Sequence, residues 1–164
     1  MHTHHTLARI THPATSEATK LALRKLKGTY PKLKEEKGID FHFLSRSRFT
    51  VPMMLELGMP PHEIITERLK HKEGLTKLIH EITNFAHLSI PAYSKLNFRA
   101  LVRHKIPLRV LLEHHVSLGL LILEGFENKE LIRAGASESQ INSLRESHAK
   151  APIVFGLKKR PQKN

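Results

Sequence analysis

At 164 residues the chain has the length of one domain and can bury a core without help from metal or disulfides. Its 40% apolar and 5% aromatic content, with no Trp, predicts an aliphatic core, and the absence of Cys excludes disulfide frameworks, thiolate zinc sites and cysteine nucleophiles. The formal charge of +12 is unevenly spread: residues 20–37 and 145–164 each carry a net +5, residues 38–144 only +2, and residues 1–19 none.

In chain order, residues 1–14 are rich in His and Thr and end at Pro13, so they read as a disordered N-terminus. Ser16 is an N-cap type, and Ala18, Leu21, Ala22 and Leu26 recur at helical spacing until Gly28, which predicts a basic helix. Tyr30 to Lys37 reads as a polar connection closed by Gly38. Ile39, Phe41 and Phe43 alternate with polar residues as a short strand would, but the segment that follows favours helix after Thr50. From Pro61 a longer helix is predicted with Ile64, Ile65 and Leu69 on its inner side. Helical spacing resumes beyond Gly74, at Leu75, Leu78, Ile79, Ile82, Phe85 and Ala86.

Residues 101–141 carry the strongest signal, a ten-residue repeat. Leu101, Leu111, Leu121, Leu131 and Ile141 share its first register, and Ile106, Val116, Phe126 and Ala136 share the sixth. Leu44, Met54 and Ile64 have the same spacing, and two weaker units read as EITNFAHLSI and PAYSKLNFRA. Gly125, Gly135 and, in the earlier copy, Gly58 supply the positive φ that follows a helix end. Ser117 and Ser137 are N-cap types for the next helix, Glu127 is a poorer one, and Pro107 preorganises the equivalent turn. Each unit is therefore about two helical turns and a tight corner. A β-helix built on five-residue repeats is rejected, because its narrow interior would have to hold His104, Arg109, His114 and Glu124. Stacking would set Arg103 beside Glu113, and His104, His114 and Glu124 in one row.

LILEGFENKELIRAGASESQI resembles the decapeptide repeat, roughly L-x-x-A-G-F-S-x-x-E-L, of type IVB secretion core-complex proteins and of assorted bacterial and protist repeat proteins. The resemblance is closest over 121–141, fair over 101–120 and recognisable at 54–64. It implies a repeat scaffold and not membership of that machine, whose membrane segment and further domain are not expected here; a small, basic protein with such units is expected to be a secreted effector or secretion-associated protein. Lys105 and His115 stand where the pattern has Gly, so those two corners are expected to turn differently.

The expected fold is all-α: short helices joined by tight Gly, Ser and Pro corners. They form a small α-solenoid-like repeat domain over 15–148, with a basic N-terminal helix and a basic tail at 149–164. No Gly-x-Ser-x-Gly, phosphate-cradling loop or His-Glu-x-x-His occurs, so no catalytic set, metal site or cofactor is expected. His2, His4 and His5 read as a solvated terminus, and His104, His114 and His115 as surface histidines rather than ligands. The candidate contacts to an anionic partner are Lys20, Arg24, Lys25, Lys27, Lys32 and Lys34, with Lys158, Lys159 and Arg160 in the tail. A protein partner is the leading expectation and nucleic acid the alternative. With no apolar N-terminal segment and no span long enough for a bilayer, the chain reads as a cytoplasmic protein without a Sec-type signal, its translocation into a host cell unsupported by any motif.

Overall fold

The structure, a computed structural model, describes the backbone of residues 16–150 and the side chains of 21–147. Among these residues there are eleven α-helices, one 3-10 turn and no strand, which is the all-α architecture of short helices expected from the sequence. The predicted ends at 1–14 and, beyond residue 150, in the tail lie outside the described residues, and Ser16, expected as an N-cap, is the first residue of the helix instead. The chain divides into two compact units between Lys70 and His71, and each is described by itself.

The first unit contains α1 (Ser16–Leu26), α2 (Tyr30–Lys37), α3 (Phe41–Arg46), α4 (Val51–Leu57) and α5 (Pro61–Leu69). Helix α1 packs on α4, and α3 on α5. The expected polar connection at 30–37 is a helix instead: Pro31 presets its first turn, Gly38 stops it at φ 65°, and buried Tyr30 and Leu33 hold it down. The strand-like alternation at 39–43 is also helical. Asp40 caps α3 by accepting the Phe43 N–H at 2.9 Å, and buried Phe41 anchors it. Thr50 caps α4 through the Met53 N–H, as the sequence favoured. Ile64 and Ile65 are buried, but Leu69 is 37% exposed, because α5 ends there and the chain turns away before Gly74.

The second unit contains α6 (Gly74–His87), a 3-10 turn (Pro91–Ser94), α7 (Phe98–Arg103), α8 (Leu108–Glu113), α9 (Leu118–Leu123), α10 (Asn128–Arg133) and α11 (Glu138–Lys150). Leu78, Ile79, Ile82, Phe85 and Ala86 form the buried stripe of α6. The four helices α7 to α10 are six residues each, too short to persist alone, and begin at ten-residue intervals.

The corners explain the five-residue recurrence. Phe49, Met59, Ile106, Val116, Phe126 and Ala136 each donate their N–H to the carbonyl five residues earlier, on Leu44, Met54, Leu101, Leu111, Leu121 and Leu131, at 2.9–3.1 Å. This bond closes a Schellman corner, and an apolar contact between its two ends is its usual companion. The two apolar registers are thus the two ends of one capping motif. Every first-register residue from Leu44 to Ile64 and from Leu101 to Ile141 is 0 or 1% exposed.

Lys105 and His115 make the same hydrogen bond as the glycine corners, contrary to the expected difference, but at φ 68° and 61°. Gly58, Gly125 and Gly135 open to φ 103°, 91° and 110°, beyond the left-handed region that L-residues occupy. The frame does not extend through 81–100. The corner there falls at Ser89, φ 52°, with Ile90 bonded to Phe85, because α6 runs uninterrupted through the expected turn at position 85.

Candidate interaction surface

In the first unit, the basic residues singled out in the sequence are presented by α1, α2 and the turn between them. Ala22, Leu23 and Leu26 face inward, so Arg24 and Lys25 project outward; Lys27 and Lys32 are exposed as well. None of these four cations makes a side-chain hydrogen bond or ion pair with another described residue. Lys34 differs. Its Nζ lies 2.7 Å from Glu63 Oε1, which also accepts the Tyr30 hydroxyl at 2.6 Å, and this hydrogen bond raises the Lys34 pKa. Burial, followed by the same carboxylate, pushes the Tyr30 hydroxyl well above its ordinary range. The side chain of Lys20 and all of Lys158, Lys159 and Arg160 lie outside the described residues.

A second group of charges ties α3 to α5. Glu67 accepts from Lys70 at 2.8 Å, and this bond holds its carboxyl below the usual range. Its other oxygen, shielded from solvent, is approached by His42 Nε2 at 3.0 Å, which is an ion pair whenever the imidazole is protonated. Arg68 lies over the Phe41 ring, 5.4 Å from its centre. These groups brace the unit. Among the described residues no three His, Asp or Glu side chains converge as a metal would require.

In the second unit, the predicted rows of stacked side chains are not what the structure forms. Glu113 pairs with Arg109 on its own helix at 3.3 Å instead of with Arg103, and His114 Nδ1 donates to the Val110 carbonyl. Glu124 turns inward. It accepts the Tyr93 hydroxyl at 2.5 Å, the Arg99 N–H at 2.9 Å and the Phe98 N–H at 3.3 Å, capping α7 from twenty-five residues further along the chain. Arg99 stacks on Phe126, 3.8 Å from the ring centre, and reaches Glu130 at 3.6 Å. Burial raises the Glu124 pKa against the lowering effect of its donors, and burial and the carboxylate together push the Tyr93 hydroxyl far up.

The sequence reading missed this acid because it treated the fourth register as outward-facing. A hint was present: a Glu in an otherwise apolar run, LGLLILEGF, is a candidate for burial. Near by, Arg145 of α11 donates to Asn128 Oδ1 at 2.6 Å and to the Phe126 carbonyl at 3.1 Å. An open groove of about 560 Å³ is lined by Leu118, Ser139, Gln140, Ser143 and Leu144. Of the predicted corner residues, Ser117 caps α9 by accepting the Leu120 N–H at 3.3 Å, while Ser137 lies 3.0 Å from Ser139 Oγ and accepts the Ile141 N–H through its carbonyl.

Comparison with protein families, with curated proteins and with solved structures finds no match to this chain. No helix among the described residues is long and apolar enough to cross a membrane.

Proposed function

We propose that the chain is a non-enzymatic interaction module, a scaffold or adaptor whose short repeated helices present a surface to a protein partner. The observation that carries this reading is the division of labour within α7 to α10. Two registers, apart from half-buried Ala136, are buried and fix each corner, while positions such as Arg103, Arg109, Glu113, Lys129 and Arg133 are exposed and free to vary without disturbing it. The packing of α9 on α11 and the reach of Glu124 back to α7 support a continuing helical superstructure, a small solenoid in which units about two apart touch. On the resemblance to decapeptide-repeat proteins rests the further proposal that this is a bacterial secreted effector or secretion-associated protein.

The test is affinity capture with the full chain, with nuclease treatment as a control, compared with Gly135→Val. The variant places a β-branched residue at φ 110°, so it should lower the melting temperature and lose the captured protein. An unchanged melting temperature and unchanged capture would dismiss the reading.

A second reading, nucleic-acid binding, is favoured by Arg24, Lys25, Lys27 and Lys32, which are exposed and pair with no other described residue. Titrating salt against duplex DNA and RNA decides it, since phosphate contacts give a steep dependence of log affinity on log salt. Weak, salt-insensitive binding removes it.

A further inference from the structure

The outward face of α1 carries more than charge. Ala22, Leu23 and Leu26 are buried at 5, 6 and 8% exposure, which leaves Leu21 on the opposite side, 54% exposed. Arg24 and Lys25 follow Leu21 by three and four residues, so they share its face and flank it. Both are exposed and make no ion pair with another described residue, and Lys27 and Lys32 continue the unpaired charge into the turn and α2. A large apolar side chain set between two cations that pair with no other described residue gains nothing from phosphodiesters, and no exposed aromatic ring among the described residues of this face offers a base something to stack on. It fits a surface where anionic groups lie beside hydrocarbon. Lys and Arg side chains reach the headgroup level there while their neighbour enters the acyl boundary.

We propose that this face of α1 is a docking surface for an anionic lipid bilayer, with Arg24 and Lys25 attracting headgroups and Leu21 inserting. Each cation near such a surface adds attraction that fades within a Debye length, so attachment is reversible and sensitive to ionic strength. One leucine and two charges give peripheral association and not insertion across the bilayer. The inference does not depend on the corner architecture of the second unit, and it stands or falls separately from the capture of a protein partner.

The experiment is co-sedimentation of the full chain with vesicles of phosphatidylcholine alone, and with roughly a third phosphatidylserine, across a salt series. In parallel, binding to duplex DNA and to single-stranded RNA is measured. The expected result is sedimentation with the anionic vesicles only, released by salt. Leu21→Ser should weaken vesicle binding several-fold with the salt dependence intact, and Arg24→Glu with Lys25→Glu should abolish it. All three positions are exposed, so unchanged melting temperatures confirm that the variants are folded. Failure to bind anionic vesicles overturns the proposal. So does vesicle binding indifferent to Leu21→Ser, or nucleic-acid binding that exceeds vesicle binding and depends on the same cations.

Discussion

Replacing Gly58 by alanine tests how the corners and the packing of the first unit act together. Gly58 sits at φ 103°, outside the range of about +50 to +70° that an L-residue reaches at modest cost. The backbone term alone should be about 1–2 kcal/mol. The added methyl would also stand 3.2 Å from the Cα of Gly28, where α1 ends against α4. Backbone cannot swing aside as a side chain would, so the α1 terminus must shift, at about 1–2 kcal/mol more. A total of about 2–4 kcal/mol corresponds to a fall in melting temperature of roughly 5–15 °C for a chain of this length.

Two controls separate the contributions. Gly135→Ala has a similar φ, 110°, and Gly28→Ala a φ of 76°, and neither methyl would meet anything within 4 Å. Each should cost only the backbone term, about 1–2 kcal/mol. Urea denaturation of the three variants, followed by far-UV circular dichroism, measures the difference. If Gly58→Ala proves no more destabilising than Gly28→Ala, the close approach of the two glycines does not constrain the unit.

Other consequences follow from single side chains. Lys105→Gly and His115→Gly relieve left-handed backbone at φ 68° and 61°, and Lys105→Gly also removes a charge favourable at a helix C-terminus, so each should stabilise by about 0.5 kcal/mol; a loss of stability in denaturant melts would contradict this. Glu124→Ala removes the acceptor of the Tyr93 hydroxyl and of two α7 N–H groups and should cost about 2–4 kcal/mol, more than Tyr93→Phe; equal costs would show that capping of α7 adds nothing. The pH dependence has a definite sign. Burial raises the Glu124 pKa in the folded protein, so its protonated form favours folding. That contribution is complete below the unfolded carboxyl value and lost as pH rises through the folded one. The stability of the parent relative to Glu124→Gln should therefore decline over that window, and a flat difference would refute it. Glu67 behaves oppositely. Its lowered pKa gives stability above the unfolded value that disappears as acid titrates it, an effect Lys70→Met should diminish in acid melts.

The sequence by itself determined the local events. Gly, Ser, Thr, Asp and Pro at fixed offsets decide where a short helix starts and stops, because caps and corners are satisfied within about six residues, and an apolar pair five apart marks each Schellman corner before any tertiary contact forms. That is why the corners at Gly58, Gly125 and Gly135 and the Ser117 cap were legible and the all-α class followed, while the corners at Lys105 and His115 and the helix at 41–46 were not. The 30–37 helix was not, because its few apolar residues gain their worth only when Tyr30 and Leu33 meet a core that other helices supply. Of the candidate surface, the identity of the cations was legible, and their freedom was not: Lys34 and Arg24 look alike in sequence, yet only Lys34 has Glu63 across from it. The direction of Glu124 was likewise decided by tertiary structure alone. A half-buried carboxylate in an apolar run is tolerable only where donors converge on it, and these come from Tyr93 and the start of α7, far along the chain.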